Sequence, residues 1–362
     1  MAEADIAGGL AVAGADGEET RGQPHALMFT ALAIALAAAA ILSLSIGATG
    51  ISLHLLPSAV TAWMEGASDS TAALVLFNVR LPRTLLAMFV GAALAVAGAM
   101  MQGLFRNPLA DPGLVGVSSG AALAAVSIIA LGNGIASPVT GLLGVHALPV
   151  AAFVGGFGVT VLLVVLSGGP RHLSIAGLLL AGIAIGAAAQ AAMGLLVYVS
   201  DDRALRDLTL WTLGSFAGAS WDKVLGVVPF ALLALALLPR LVRGLNGLLL
   251  GESEAFHLGI NIRRTKYAIV LVTAALVGSA VAVAGMIGFI GVVVPHVVRL
   301  MSTPDHATLL PASGMLGAIL ALVADIFART AVAPAELPVG IVMALIGAPF
   351  FLHLILKRTI HV

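Results

Sequence analysis

Long runs with at most one charged side chain alternate with short polar segments along the whole chain. The apolar runs fall at Leu27–Ile46, Pro82–Phe105, Gly113–Leu131, Leu148–Leu166, Leu173–Val199, Val224–Leu238, Tyr267–Ala284, Ile287–Met301, Leu309–Ala328 and Leu337–Leu356. Most approach the roughly 20 residues that an α-helix needs to cross a bilayer. The pattern predicts an all-α polytopic membrane protein with about ten transmembrane helices. Leu205–Ser215 predicts a half-length helix that dips back without crossing. Met1–Ala26 is small, polar and acidic, and predicts a disordered cytoplasmic tail ahead of a transmembrane domain over 27–362. It lacks the basic start of a signal peptide.

Composition supports this class. Hydrophobic residues make up 60% and charged residues 9%, which is too little polar surface to cover a water-soluble globule of 362 residues. Lys plus Arg balances Asp plus Glu at 17 each, so no nucleic-acid footprint exists. Cysteine is absent, which excludes disulfides, thiolate metal sites and cysteine nucleophiles together. The 42 glycines suit close packing of many helices.

Basic residues set the expected orientation. With the N-terminus inside, Arg21, Arg106, Arg171, Arg240, Arg243, Arg263, Arg264, Lys266, Arg299, Lys357 and Arg358 lie in inner segments. Arg80, Arg83, Arg203, Arg206, Lys223 and Arg329 lie outside. This excess predicts both termini in the cytoplasm, with a basic inner loop over Pro239–Lys266. A faint internal repeat is also visible: GAALAVAGAM at Gly91–Met100 and GSAVAVAGMI at Gly278–Ile287. They fall in spans running in opposite directions, as in inverted-repeat transporters. Convergence of two Ala/Gly-rich packing helices is the alternative.

No catalytic constellation stands out. Ser200-Asp-Asp-Arg203 reads as a solvated helix cap, and Gly285-Met-Ile-Gly-Phe-Ile-Gly291 lacks the strand and Lys-Ser/Thr of a phosphate loop. The nine histidines show no metal-ligand spacing. Asp325 is the one acid placed within a span, and Arg329 one turn on can pair with it, which argues against a proton relay. Energy for transport would then come from a partner.

The loops are more specific. The stretches RLPRTLLAMFVGAALAVAGAMMQGLFRNPLADPGLVGVSSG (Arg80–Gly120), HLSIAGLLLAG (His172–Gly182), LTLWTLGSFAGASW (Leu208–Trp221), LGESEAFHLGI (Leu250–Ile260), GMIGFIGVVVPHVVRL (Gly285–Leu300) and ADIFARTAVAPAELPVGIVMALIGAPFFL (Ala324–Leu352) resemble the permease family of type II ABC importers for vitamin B12, iron–siderophores and haem. The resemblance runs from about Leu27 to the C-terminus.

That resemblance implies a non-enzymatic permease subunit in a bacterial inner membrane, working as a homodimer by alternating access. Two cytoplasmic ATPase subunits would use ATP and Mg²⁺, no cofactor would be bound in this chain, and a periplasmic binding protein would deliver cargo. Arg80, Arg83 and Arg329 match residues that receive acidic groups of the binding protein. Asn107 and Leu109 match the cytoplasmic gate. Ile175 and Ala176 match a second gate element, although the B12 permease pattern has small hydroxylated residues there. Glu252–Gly259 matches the ATPase coupling helix, with Ala255 and Leu258 as its apolar contact and Glu252 capping or pairing. Trp211–Trp221 and RNPLADPG look most like haem permeases, so haem is the expected cargo, with ferric siderophore or B12 as alternatives. Met100, Met101, Met193 and Met343 are candidate pathway residues, or simply core packing. A stand-alone secondary carrier is the alternative of a different class.

Overall fold

The structure is a computed structural model that describes residues 4–47, 56–64, 70–132, 134–169 and 174–359. Fifteen α-helices follow one another among the described residues. They are α1 (Ala4–Ser45), α2 (Leu56–Met64), α3 (Thr71–Val75), α4 (Leu81–Phe105) and α5 (Val117–Leu131). Next come α6 (Ser137–Leu143), α7 (Ala147–Leu166), α8 (Ile175–Tyr198), α9 (Asp202–Thr212) and α10 (Trp221–Leu250). The chain ends with α11 (Glu252–His257), α12 (Ile262–Ala284), α13 (Ile290–Met301), α14 (His306–Thr330) and α15 (Val339–Thr359).

Seven helical stretches are long and apolar enough to cross a membrane, and three shorter apolar helices at Val117–Leu131, Ile290–Met301 and Val339–His353 join them. Together they occupy all ten predicted positions. The half-length helix is α9, opened by Asp201, whose Oδ1 accepts from Ala204 N at 2.8 Å. That is the cap read from the Ser-Asp-Asp-Arg segment.

Three boundaries differ from expectation. The first helix begins at Ala4, well ahead of the span expected from Leu27. The second span starts earlier, because α3, a π-turn over Leu76–Arg80 and α4 form one helix over Thr71–Phe105. Arg80 and Arg83 therefore sit inside a helix and not in a loop. Pro239 does not end the sixth span, which continues as α10 to Leu250. Neighbouring helices let membrane helices keep proline by re-satisfying the freed carbonyl. The inner loop is shorter than its composition suggested.

The core lies around α4 and α12, the helices that bury most of their length; α8 buries almost none. α4 packs against α14, and α12 against α7; α5 packs on α7 as α13 packs on α14. This is the pairing that an inverted repeat of five spans produces, with the two similar decapeptides on its central helices. Glycine makes the core possible. A side chain on Gly98 would land on the backbone of Gly291, and one on Gly91 on that of Gly317. Without interhelical hydrophobic driving force in lipid, such backbone approach supplies the packing.

Candidate functional site

The sequence-predicted residues fall into three groups at the two ends of the bundle. At the end where α1 finishes, Arg80, Arg83 and Arg329 converge on one cavity of about 110 Å³, also lined by Gly47, Val75, Val79, Pro334 and Glu336. They are not presented as free cations. Arg83 grips Asp325 through Nε (3.1 and 3.2 Å) and Nη2 (2.9 Å). It also meets both Glu336 oxygens at 2.9 Å. Arg80 Nη1 donates to the carbonyls of Leu44 (2.6 Å) and Ser45 (3.0 Å). Arg329 Nη2 donates to the Ser43 carbonyl and hydroxyl at 2.9 Å, and its Nε lies 3.7 Å from Asp325 Oδ2.

The predicted Asp325–Arg329 pair is present, but Arg83 is the closer partner of a fully buried carboxylate. A planar guanidinium matches two carboxylates at once, whereas i,i+4 geometry brings only one nitrogen near Asp325. Glu336 is the partly exposed acid of the group. Ser43 and Glu336 were missed in the sequence. The signal available was Asp325, an in-span acid that must find cations.

At the opposite end, Arg106 takes a left-handed conformation (φ 49°, ψ 35°) and stops α4. Asn107 Oδ1 accepts from Leu109 N at 3.0 Å, closing an Asx turn. Asp111 Oδ1 then accepts from Gly113 N at 2.6 Å. Burial raises the Asp111 carboxyl pKa, against the lowering effect of that bond. Leu109 is exposed, as is Ala176, while Ile175 is half-buried at the start of α8. Ser174 caps α8 by accepting from Gly177 N at 3.1 Å. The two candidate gate segments are linked through the 3-10 turn Pro112–Val115, which packs against α8. His172 lies outside the described residues.

The candidate coupling helix is α11, flanked by Gly251 (φ 124°) and Gly259 (φ 73°). Glu252 pairs with Lys266 at 2.9 Å, as expected of a pairing residue. Ala255 does not belong to the outward face. It is fully buried against the end of α10, near Gly247, because one side of so short a helix must pack on its own subunit. The apolar surface consists of Phe256 (70% exposed) and Leu258 (55% exposed). Met100, Met101 and Met343 are likewise core residues with no exposure; only Met193, on α8, is partly accessible.

A cavity of about 480 Å³ between α7, α10 and α12, and an apolar one of about 260 Å³ beside α10, contain none of the candidate gate residues. Among the described residues, no cluster of three or more His, Cys, Asp or Glu side chains could hold a metal.

The sequence profile of the FecCD transport family matches residues 35–357. The haemin transport system permease HmuU of Yersinia pestis is 46% identical over 339 residues, covering 93% of this chain and 97% of that protein. The vitamin B12 import system permease BtuC of Salmonella typhi is 43% identical over 290 residues, covering 78% and 84%. A solved inward-facing structure of an ABC transporter assigned to the metal-chelate type superposes with a TM-score of 0.77 at 33% identity, covering 91% of this chain and 99% of that one. With nearly the whole chain matched and the helical order of a permease in place, this protein belongs to the FecCD transport family as a membrane permease of ABC-transporter type.

Proposed function

We propose that the chain is the permease subunit of an ATP-driven importer that moves haem from periplasm to cytoplasm across a bacterial inner membrane. The observation that carries the cargo is the near full-length match to the haemin permease. The buried methionines do not support it, since three of the four face the core. The functional unit is a homodimer. α8, the least buried span, carries one gate segment at its start and leaves Gly186 and Gly194 open to close approach by another helix. The cavities of about 480 and 260 Å³ bypass both gates, and a second α8 would complete a pathway between subunits.

The end bearing both termini is cytoplasmic. There Phe256 and Leu258 of α11 seat in a cleft of the ATPase, which binds ATP and Mg²⁺; this chain supplies no hydrolytic group. The apolar Leu109 and Ile175 close the pathway by excluding water. At the periplasmic end, an acidic group of the binding protein meets the arginine cluster at its exposed acid, Glu336. The incoming carboxylate displaces Glu336 from Arg83, so docking is an exchange of anions rather than capture by free cations. The test is ATP hydrolysis by the assembled complex with its binding protein loaded with haem, with cobalamin, or empty. The reading expects stimulation by the haem-loaded protein; stimulation by cobalamin alone contradicts the cargo assignment.

A further inference from the structure

Pro295 has no backbone N–H, so the Gly291 carbonyl in α13 loses its helical partner. Gln102 of α4 supplies a replacement. Its Nε2 donates to the Gly291 and Val292 carbonyls, both at 3.3 Å, and its Oε1 accepts from Arg299 Nη1 of α13. The backbone carbonyl of Gln102 also accepts from Asn107 N at 3.1 Å, and that of Gly103 from Arg106 N at 3.3 Å. The candidate gate loop thus hangs on two consecutive residues of α4.

Those residues are held from a third side. A Cβ on Gly103 would meet His306 Nε2 at 2.5 Å and Leu245 Cδ2 at 2.9 Å. His306 is fixed by Asn246, whose Oδ1 accepts from His306 N at 3.0 Å and lies 2.9 Å from its Nδ1. Asn246 Nδ2 donates to Asp305 Oδ1 at 2.6 Å. With Nδ1 as donor to Asn246, Nε2 is left as a bare acceptor, buried without a hydrogen-bond partner and pressed towards Gly103. Mere packing is served better by an apolar side chain, which strands no polar atom. Leu245 and Asn246 lie in the closing turns of α10, which leads through Gly251 into α11.

We infer that Asn246 and His306 are positioning residues forming a strut that carries displacement of α11 through Gly103 to the Asn107–Leu109 gate, while Gln102 ties the loop to α13. The inference rests on reading α11 as the coupling helix and this loop as a gate. A ligand that biases such an element shifts it only through contacts that differ between two states; the strut supplies a route for that bias.

The chain has no native cysteine, so a spin label at Leu109→Cys reports one distance across the homodimer. The complete complex, with ATPase and binding protein in proteoliposomes, is compared as wild type, Asn246→Ala, His306→Ala and His306→Gln. Expected is intact assembly and ATP hydrolysis in both alanine variants, loss of the ATP-driven distance change, and roughly tenfold less cargo moved per ATP, within the range that altering such networks produces. His306→Gln, whose terminal amide takes the place of Nε2 against Gly103, restores both. An unchanged distance shift and stoichiometry in His306→Ala overturns the strut. So does failure of both alanine variants to assemble with no rescue by glutamine, which makes the cluster a folding element. Failure of the underlying reading shows elsewhere, as no ATP-driven distance change in the wild type.

Discussion

Replacing Asp325 with alanine strips the arginine cluster of a fully buried anion. The carboxylate receives three hydrogen bonds from Arg83 and lies 3.7 Å from Arg329 Nε. Removal leaves Arg83 with Glu336, and leaves buried Arg329 with Ser43 but no ion-pair partner among the described residues. Breaking a buried pair by deleting one member costs about 3–5 kcal/mol, because the remaining charge is uncompensated. Glu336 continues to serve Arg83, which places the expected loss at the lower end, about 3 kcal/mol. Removing the stranded charge as well recovers part of it. Asp325→Ala/Arg329→Met should therefore be more stable than Asp325→Ala alone, a coupling of about 1–2 kcal/mol. Thermal unfolding of the purified protein in one detergent, followed by the fluorescence of its three tryptophans, reads the cycle. Equal melting temperatures for Asp325→Ala and wild type, or strict additivity in the double variant, would refute the reasoning.

Phe256→Asp and Leu258→Asp should lower ATPase binding at least tenfold while leaving folding intact, because both side chains are exposed; Ala255→Asp should fail to fold, and co-purification with the ATPase separates the cases. Gly98→Val should lower stability by about 1–3 kcal/mol or block insertion, since its side chain collides with Gly291 backbone; thermal unfolding checks it. Asp111 has a folded pKa raised by burial, so its ionisation opposes folding as pH rises from its unfolded value through its folded one. Asp111→Asn should then be more stable than wild type at neutral pH, with the difference vanishing below about pH 4; melting curves across pH decide it.

Much of the architecture was legible because hydropathy is a local signal. Each span announces itself by a run with at most one charge, and the half-helix by Asp201 ahead of an amphipathic stretch. What stayed hidden depends on residues far apart in sequence. Arg83 and Asp325 are 242 positions apart, and only folding shows that an arginine read as a docking cation is committed to an internal acid. Proline misled at Pro239, where tertiary packing preserves a helix that local rules would end. The face of α11 could not be assigned by composition either. Ala255 and Phe256 are both apolar neighbours, and burial alone decides which is available to a partner. Gln102 gave no signal until Pro295 was seen to free the carbonyl that it satisfies.

The central claim is tested most directly by uptake into sealed proteoliposomes containing this permease and its cognate ATPase, with the cognate binding protein outside. The account predicts haem accumulation in the lumen that requires ATP on the ATPase side and stops when the binding protein is omitted. Accumulation of cobalamin or a ferric siderophore with haem excluded, or haem entry without ATP, would contradict it.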